Sequence, residues 1–131
     1  IFMKTLFFFF SLMRGFGLHK NLEGAEFLGL FMTQPCYRVF SINDIHPGMY
    51  EVTEGGVAVE GEIYCMSDEI WARVEAGEPP HLYCGPVKLA DGRVVEGILY
   101  PKEAIKPEHV EISRFGGWRG YMADKAANKA K

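Results

Sequence analysis

The stretch 57–83, VAVEGEIYCMSDEIWARVEAGEPPHLY, decides how this chain is read. Val57, Val59, Gly61, Ile63 and Cys65 alternate with Glu60, Glu62 and Tyr64, a period of two that predicts a strand over 57–66 with one buried face. Ser67 then offers an N-cap, Asp68 and Glu69 fill the first turn where the helix dipole favours acids, and Ile70, Trp71 and Val74 form an apolar stripe. A short helix over 67–76 follows. Gly77 suits the left-handed position that closes a helix, and Pro79 and Pro80 cannot continue it, so the backbone around Glu78 is fixed on both sides. A carboxylate just past a helix C-terminus, with Trp71 and Tyr83 near in sequence, has its charged form disfavoured by the dipole and by burial. That makes Glu78 a candidate for proton transfer, although a solvated loop glutamate is the commoner outcome for an acid in such a position.

Working outward, 131 residues with 48% hydrophobic and 24% charged side chains and a net charge of -3 describe one domain with a core of its own. There is no basic excess to attract nucleic acid. Cys36, Cys65 and Cys84 make an odd set without a Cys-x-x-Cys pair, which fits thiols as small core residues in a reducing, cytoplasmic setting. The run 5–13, TLFFFFSLM, is too short to span a bilayer and has no small-residue cleavage site behind it. It predicts a central strand covered on both faces, bounded by Lys4 and Arg14. Met3 offers a start site, which would leave Ile1 and Phe2 upstream of it.

Further strands are expected over 25–33 and 37–42, ended by Asn43-Asp44, with His46 to Tyr50 a loop into a short strand. Asp91-Gly92 between 83–89 and 93–100 is a two-residue hairpin signal, because both central positions tolerate positive φ. Residues 102–111 read as a polar connection. A terminal helix carries Trp118, Tyr121, Met122 and Lys125, and the Ala/Lys tail 124–131 is expected to fray. Six or seven short strands, two short helices and no repeated βαβ unit predict an α+β domain over 3–123, a small mixed β-barrel closed or nearly closed.

Phosphate-loop and dinucleotide patterns are missing, and His19, His46, His81 and His109 have no metal-ligand spacing, so no cofactor and no metal are expected. No nucleophile elbow surrounds Ser11, Ser41 or Ser113. Arg14, Arg38, Arg114 and Arg119 could each fork a carboxylate, and Arg14 is singled out because it leaves the buried strand beside a glycine loop. Trp118, beside Gly116-Gly117, suits either a pocket lid or the core.

These residues resemble the gamma-glutamyl cyclotransferase-like superfamily and, within it, the C-terminal domain of allophanate hydrolase, over residues 6–123. Residues 7–15, FFFFSLMRG, are similar to the opening strand and loop of the cyclotransferases, whose loop amides receive the substrate carboxylate. Residues 74–78, VEAGE, fall where those enzymes have Leu-Asp-Ala-x-Glu, whose last residue is their catalytic glutamate; the resemblance thereby implies Glu78 as general acid and base. The second half resembles the allophanate hydrolase domain in LADGR (89–93), VEGIL (95–99) and above all Phe115-Gly116-Gly117-Trp118-Arg119. In the full hydrolase that domain follows an amidase and acts on the carboxylated carbamate it releases. Two departures stand out: Phe10 replaces the cyclotransferase loop glycine, and Leu12 replaces a histidine of the allophanate-type loop.

The resemblance implies an enzyme for a small amide-containing carboxylate, with Glu78 catalytic and Phe10, Ser11, Leu12, Met13, Arg14, Tyr37, Tyr83 and Trp118 around the substrate. The alternatives are decarboxylation of a urea-derived N-carboxycarbamate and a non-catalytic binding module that kept only the fold. The expected partner is a small molecule rather than nucleic acid or membrane, with room for a homodimer and for a separate amidase.

Overall fold

A computed structural model of the chain describes residues 3–9 and 12–129, with the backbone alone at Leu18. Phe10 and Ser11, two of the expected substrate contacts, lie outside the described residues, as do Ile1, Phe2 and the last two positions of the tail. The Phe-rich run is a central strand, β1 (Met3–Phe8), and Leu6, Phe7, Phe8 and Phe9 are fully buried. The strand from the deciding stretch, β5 (Glu60–Ser67), runs antiparallel to β1 from Met3 opposite Ser67 to Phe8 opposite Glu62. On the other side of β1 lies β7 (Val94–Leu99), parallel to it through Phe7 and Gly97. With β2 (Glu26–Met32) and β6 (Tyr83–Lys88) at the edges, the sheet order is β2-β5-β1-β7-β6. A second sheet, in the order β4-β3-β8, consists of β3 (Tyr37–Ile42), β4 (His46–Glu51) and β8 (Val110–Glu111).

The expected strand over 57–66 is shifted and is covered on both faces. Residues 57–59 precede the ladder and tie the chain to other segments, Val57 by a bridge to Tyr37 and Val59 by bonds with Thr33. Within β5 the buried residues are Gly61, Glu62, Ile63, Tyr64 and Met66, so the face read as outward is also covered. The cover comes from α1 (Asp68–Ala76), whose Trp71 ring lies under the Lys4 ammonium at 4.9 Å, and from Arg14, His19, Phe27 and Arg119, which meet Glu62 and Tyr64. The start of α1 follows the sequence: the Ser67 hydroxyl accepts from the Ile70 N–H at 3.3 Å.

Its end differs from the expectation. Gly77 has φ -95°, outside the left-handed region, and the last turn closes by Gly77 N–H to Val74 and Glu78 N–H to Glu75 at 3.1 and 3.2 Å. What a side chain at 77 would meet is Asn21, whose Nδ2 lies 3.0 Å from an ideal Cβ. The left-handed residue of the segment is His81, at φ 76°.

The β6–β7 hairpin forms as expected, but its turn is of another type. Only Gly92 has positive φ, at 95°, and its N–H reaches Leu89 while the Leu89 N–H reaches Arg93. This is a three-residue loop closed by a left-handed glycine rather than a two-residue turn. The β3–β4 turn carries positive φ at Asn43 and Asp44, and β4 begins at His46, where a loop was expected. Pro47 is tolerated there because β4 is an edge strand.

The supposed polar connection contains a 3-10 turn at Lys102–Ala104 and β8. The terminal helix α2 (Trp118–Lys129) continues through the described part of the tail. Asp44 anchors it, accepting from Tyr121 and Lys125.

The fold is α+β. A barrel ladder running the length of the sheet edges is not present among the described residues; β2 and β6 meet at one end only, where Thr33 bridges Leu89, Gln34 N–H reaches Lys88 and Ala90 N–H reaches Met32. None of the three cysteines is fully buried; Cys84 is exposed. Among the described residues no helix is long and apolar enough to cross a membrane.

Candidate functional site

Two carboxylates send oxygens into the interior, and they are treated in opposite ways. Glu78, placed by the end of α1 and the two prolines, is partly buried, and its Oε1 is fully enclosed without a hydrogen-bond partner among the described residues. Burial first, and the neighbouring Glu75 carboxylate second, push its carboxyl up to about 7. At neutral pH it is divided between acid and base forms, the condition under which a carboxyl can both take and return a proton.

Glu62, on β5, has no exposed surface, yet every donor it needs is present. Its Oε1 accepts from the Arg14 N–H at 2.9 Å and the Tyr64 hydroxyl at 3.0 Å. Its Oε2 meets Arg14 Nε at 3.2 Å and Arg119 Nη2 at 3.3 Å. Burial pushes this carboxyl up, but the Arg14 amide, Tyr64, the Arg14 guanidinium and the charge of Arg119 outweigh it and hold it below the ordinary range.

This cluster gives the Phe115 to Arg119 motif a task. Gly116 closes a 3-10 turn in the left-handed region (φ 74°), and its carbonyl accepts from Glu60 N–H at 2.9 Å, which docks the motif on the start of β5. Arg119 then reaches Glu60, Glu62 and the Arg14 carbonyl, the last at 2.6 Å. Glu62 and Arg119 together clamp the exit loop of β1. Sequence reasoning assigned Glu62 to an outward face and missed it; the signal was Met66, an apolar residue in the same alternation.

The expected substrate residues are distributed as follows. Leu12 and Met13 are buried in the core, and the Leu12 carbonyl accepts from His19 Nδ1 at 2.9 Å. The Arg14 guanidinium is engaged by Glu62 and lies over the Phe27 ring at 4.1 Å. Tyr37 is buried, its hydroxyl accepts from Lys88 N–H at 2.8 Å, and burial pushes it up to about 12. Tyr83 is exposed, whereas Trp118 is in the core against Tyr121. No hydrogen bond or ion pair among the described residues joins any of these side chains to the Glu78 carboxylate.

The pattern of residues matches a known family. The family model for the allophanate hydrolase C-terminal domain covers residues 4–123. The chain belongs to the allophanate hydrolase C-terminal domain family. A curated relative, urea amidolyase of Saccharomyces cerevisiae, is 26% identical over 118 residues, 84% of this chain but 6% of its own length, so the domain also occurs inside a much larger protein. Among solved structures, c4763, a protein specific to uropathogenic E. coli, is similar over 94% of this chain and 98% of its own, with 37% identity and a TM-score of 0.86. An AIG2-like protein (GGACT) of Mus musculus shares the fold at TM-score 0.62 and 21% identity, covering 82% of each chain. The family and the gamma-glutamyl cyclotransferase-like fold thus agree with the sequence motifs.

Proposed function

We propose that this member of the allophanate hydrolase C-terminal domain family is an enzyme for a small carboxylate bearing an amide or carbamate nitrogen, with Glu78 as its proton-transfer group. The observation that supports this is the enclosed Glu78 Oε1, a polar atom without a partner on a carboxyl raised to about 7. In the cyclotransferase form of the reaction, Glu78 takes a proton from the substrate α-amine as the nitrogen attacks the γ-amide carbonyl. It then returns that proton to the leaving amine as the C–N bond breaks, giving 5-oxoproline. Because the Arg14 amide and guanidinium are engaged by Glu62, carboxylate binding in this reading falls to the loop amides of Leu12 and Met13.

The family match favours a second reading on the same residue. Protonated Glu78 delivers its proton to the nitrogen of an N-carboxycarbamate, the N–C bond to one carboxylate breaks, and carbon dioxide leaves. A separate amidase would then supply the substrate.

A panel of γ-glutamyl amines and allophanate-derived carboxylates separates the readings, with release of 5-oxoproline or carbon dioxide as the readout. Glu78→Gln is expected to fold and to lose turnover by at least about 100-fold. A fully active Glu78→Gln protein removes the mechanism, and silence of the native protein on every substrate favours a binding module.

A further inference from the structure

Tertiary structure gathers three histidines that the sequence scatters. The β3–β4 turn, the loop after α1 and the segment between β7 and β8 enclose a cavity of about 390 Å³ whose wall includes His46, His81, His109, Tyr100 and Lys106. No carboxylate lines it, although the chain carries a net charge of -3. Nor do the rings form a metal set: no group of three or more His, Cys, Asp or Glu among the described residues could hold an ion.

The hydrogen bonds fix the two buried rings in opposite tautomers. His46, 5% exposed, has Nδ1 3.0 Å from the Pro47 carbonyl, which can only accept, so Nδ1 carries the proton and Nε2 presents a lone pair. His109 Nδ1 accepts from the Lys106 backbone N–H at 3.0 Å, so in the neutral ring Nε2 carries the proton. Neither Nε2, nor the hydroxyl of the 3% exposed Tyr100, has a hydrogen-bond partner among the described residues. Among the described residues the one enclosed side-chain polar atom without a partner is Glu78 Oε1, so these three are open to the cavity and a ligand entering it can reach them. The cavity offers donors from His109, Tyr100 and Lys106 and one basic lone pair at His46.

We propose that this cavity binds a small oxyanion, of the sulfate, phosphate or carboxylate class, together with one proton held between the anion and His46 Nε2. The anion accepts from His109 Nε2–H, the Tyr100 hydroxyl and the Lys106 ammonium, and the added proton converts the His46 lone pair into a fourth donor. The groups facing His46 are His109 and Lys106 from the segment before β8, His81 from the loop after α1, and Tyr100 at the end of β7. All are neutral or cationic, and burial, with His109 adding to it, holds His46 below the ordinary histidine range despite its bond to Pro47. An anion is the missing charge that lets the ring protonate. The site stands apart from the Glu78 reading, since neither Glu78 nor residues 12–14 line it.

The test uses sulfate and acetate, both essentially fully ionised between about pH 6.5 and 8, followed by imidazole nitrogen NMR and calorimetry on the whole chain. Saturable binding that moves the His46 Nε2 resonance is expected, with affinity falling toward tenfold for each unit rise in pH above the His46 pKa. A preference between the two probes distinguishes a tetrahedral from a planar ligand. His46→Gln, which keeps hydrogen bonding but cannot gain the proton, should abolish that pH dependence. If this buried variant does not fold, the exposed Lys106→Met reports instead, with affinity at least threefold weaker. No binding, binding that leaves His46 unmoved, or unchanged affinity in Lys106→Met overturns the proposal.

Discussion

Glu62 and Glu78 both send carboxylate oxygens into the interior, and the contrast between them separates holding the fold together from being poised for chemistry. Glu62 is fully buried and fully bonded; Glu78 is less buried, with an enclosed oxygen left unbonded. Burial opposes the charge of both. Donors from Arg14, Tyr64 and Arg119 reverse that effect at Glu62, while at Glu78 the nearest charge is another acid and adds to it. The depth of a carboxylate therefore says little about its state; the donors that meet it decide.

The contrast can be broken by mutation. The largest stability effect is expected for Glu62→Ala, which orphans the Arg14 amide and the Tyr64 hydroxyl, leaves the Arg14 guanidinium without its anion and leaves Arg119 with Glu60 alone. A loss of roughly 2–4 kcal/mol in urea unfolding is expected, less than for a fully buried pair because both arginines are partly exposed. A loss below about 1 kcal/mol would show that the clamp on the β1 exit loop is held by other contacts.

The two carboxylates should also respond to pH with opposite sign. Glu62 is lowered in the fold, so its contribution is present above the ordinary carboxylate pKa and is lost as pH falls through its folded value. Glu78 is raised, so its contribution is present below the ordinary pKa and is lost as pH rises through about 7. Glu78→Gln cannot ionise, so its stability relative to the native protein should rise by on the order of 1–3 kcal/mol between pH 4.5 and pH 8. Denaturant midpoints across that range measure it, and a difference independent of pH would remove the special status of Glu78.

A smaller effect is expected from Arg119→Lys. A single ammonium cannot span Glu60, Glu62 and the Arg14 carbonyl, so a loss of about 1 kcal/mol despite the retained charge would sharpen the view that geometry rather than charge holds the loop. Smallest should be Gly77→Ala beside Glu78, within about 0.5 kcal/mol by thermal unfolding, since φ there is ordinary for any residue. Gly92→Ala, at φ 95°, should cost about 1 kcal/mol.

Much of the fold was legible because its signals are local. The Phe-rich run became the central strand, Ser67 became the cap of α1, and Asp91-Gly92 became a hairpin turn. Errors arose where a distant segment decided. Alternation gives β5 an open outer face, but Arg14, His19, Phe27 and Arg119 from distant segments close over Glu62 and Tyr64 there. Gly77 suits a left-handed cap by sequence, but its φ of -95° is ordinary for any residue and the nearest atom to a Cβ there is the movable end of the Asn21 side chain. Arg14 meets Glu62 across 48 positions, a pairing that no local signal announces.

By itself the sequence determined the central strand, the start of α1, the β6–β7 hairpin and the family, because alternation, caps, turn residues and motifs act between near neighbours along the chain. Only the tertiary structure decided which carboxylate is bonded and which is not, and which histidines share a cavity. Glu62 meets its donors across 48 and 57 positions, and His46 meets His109 from another sheet strand's approach. Such encounters depend on the packing of layers, and the free energy of a buried charge follows from what it meets there.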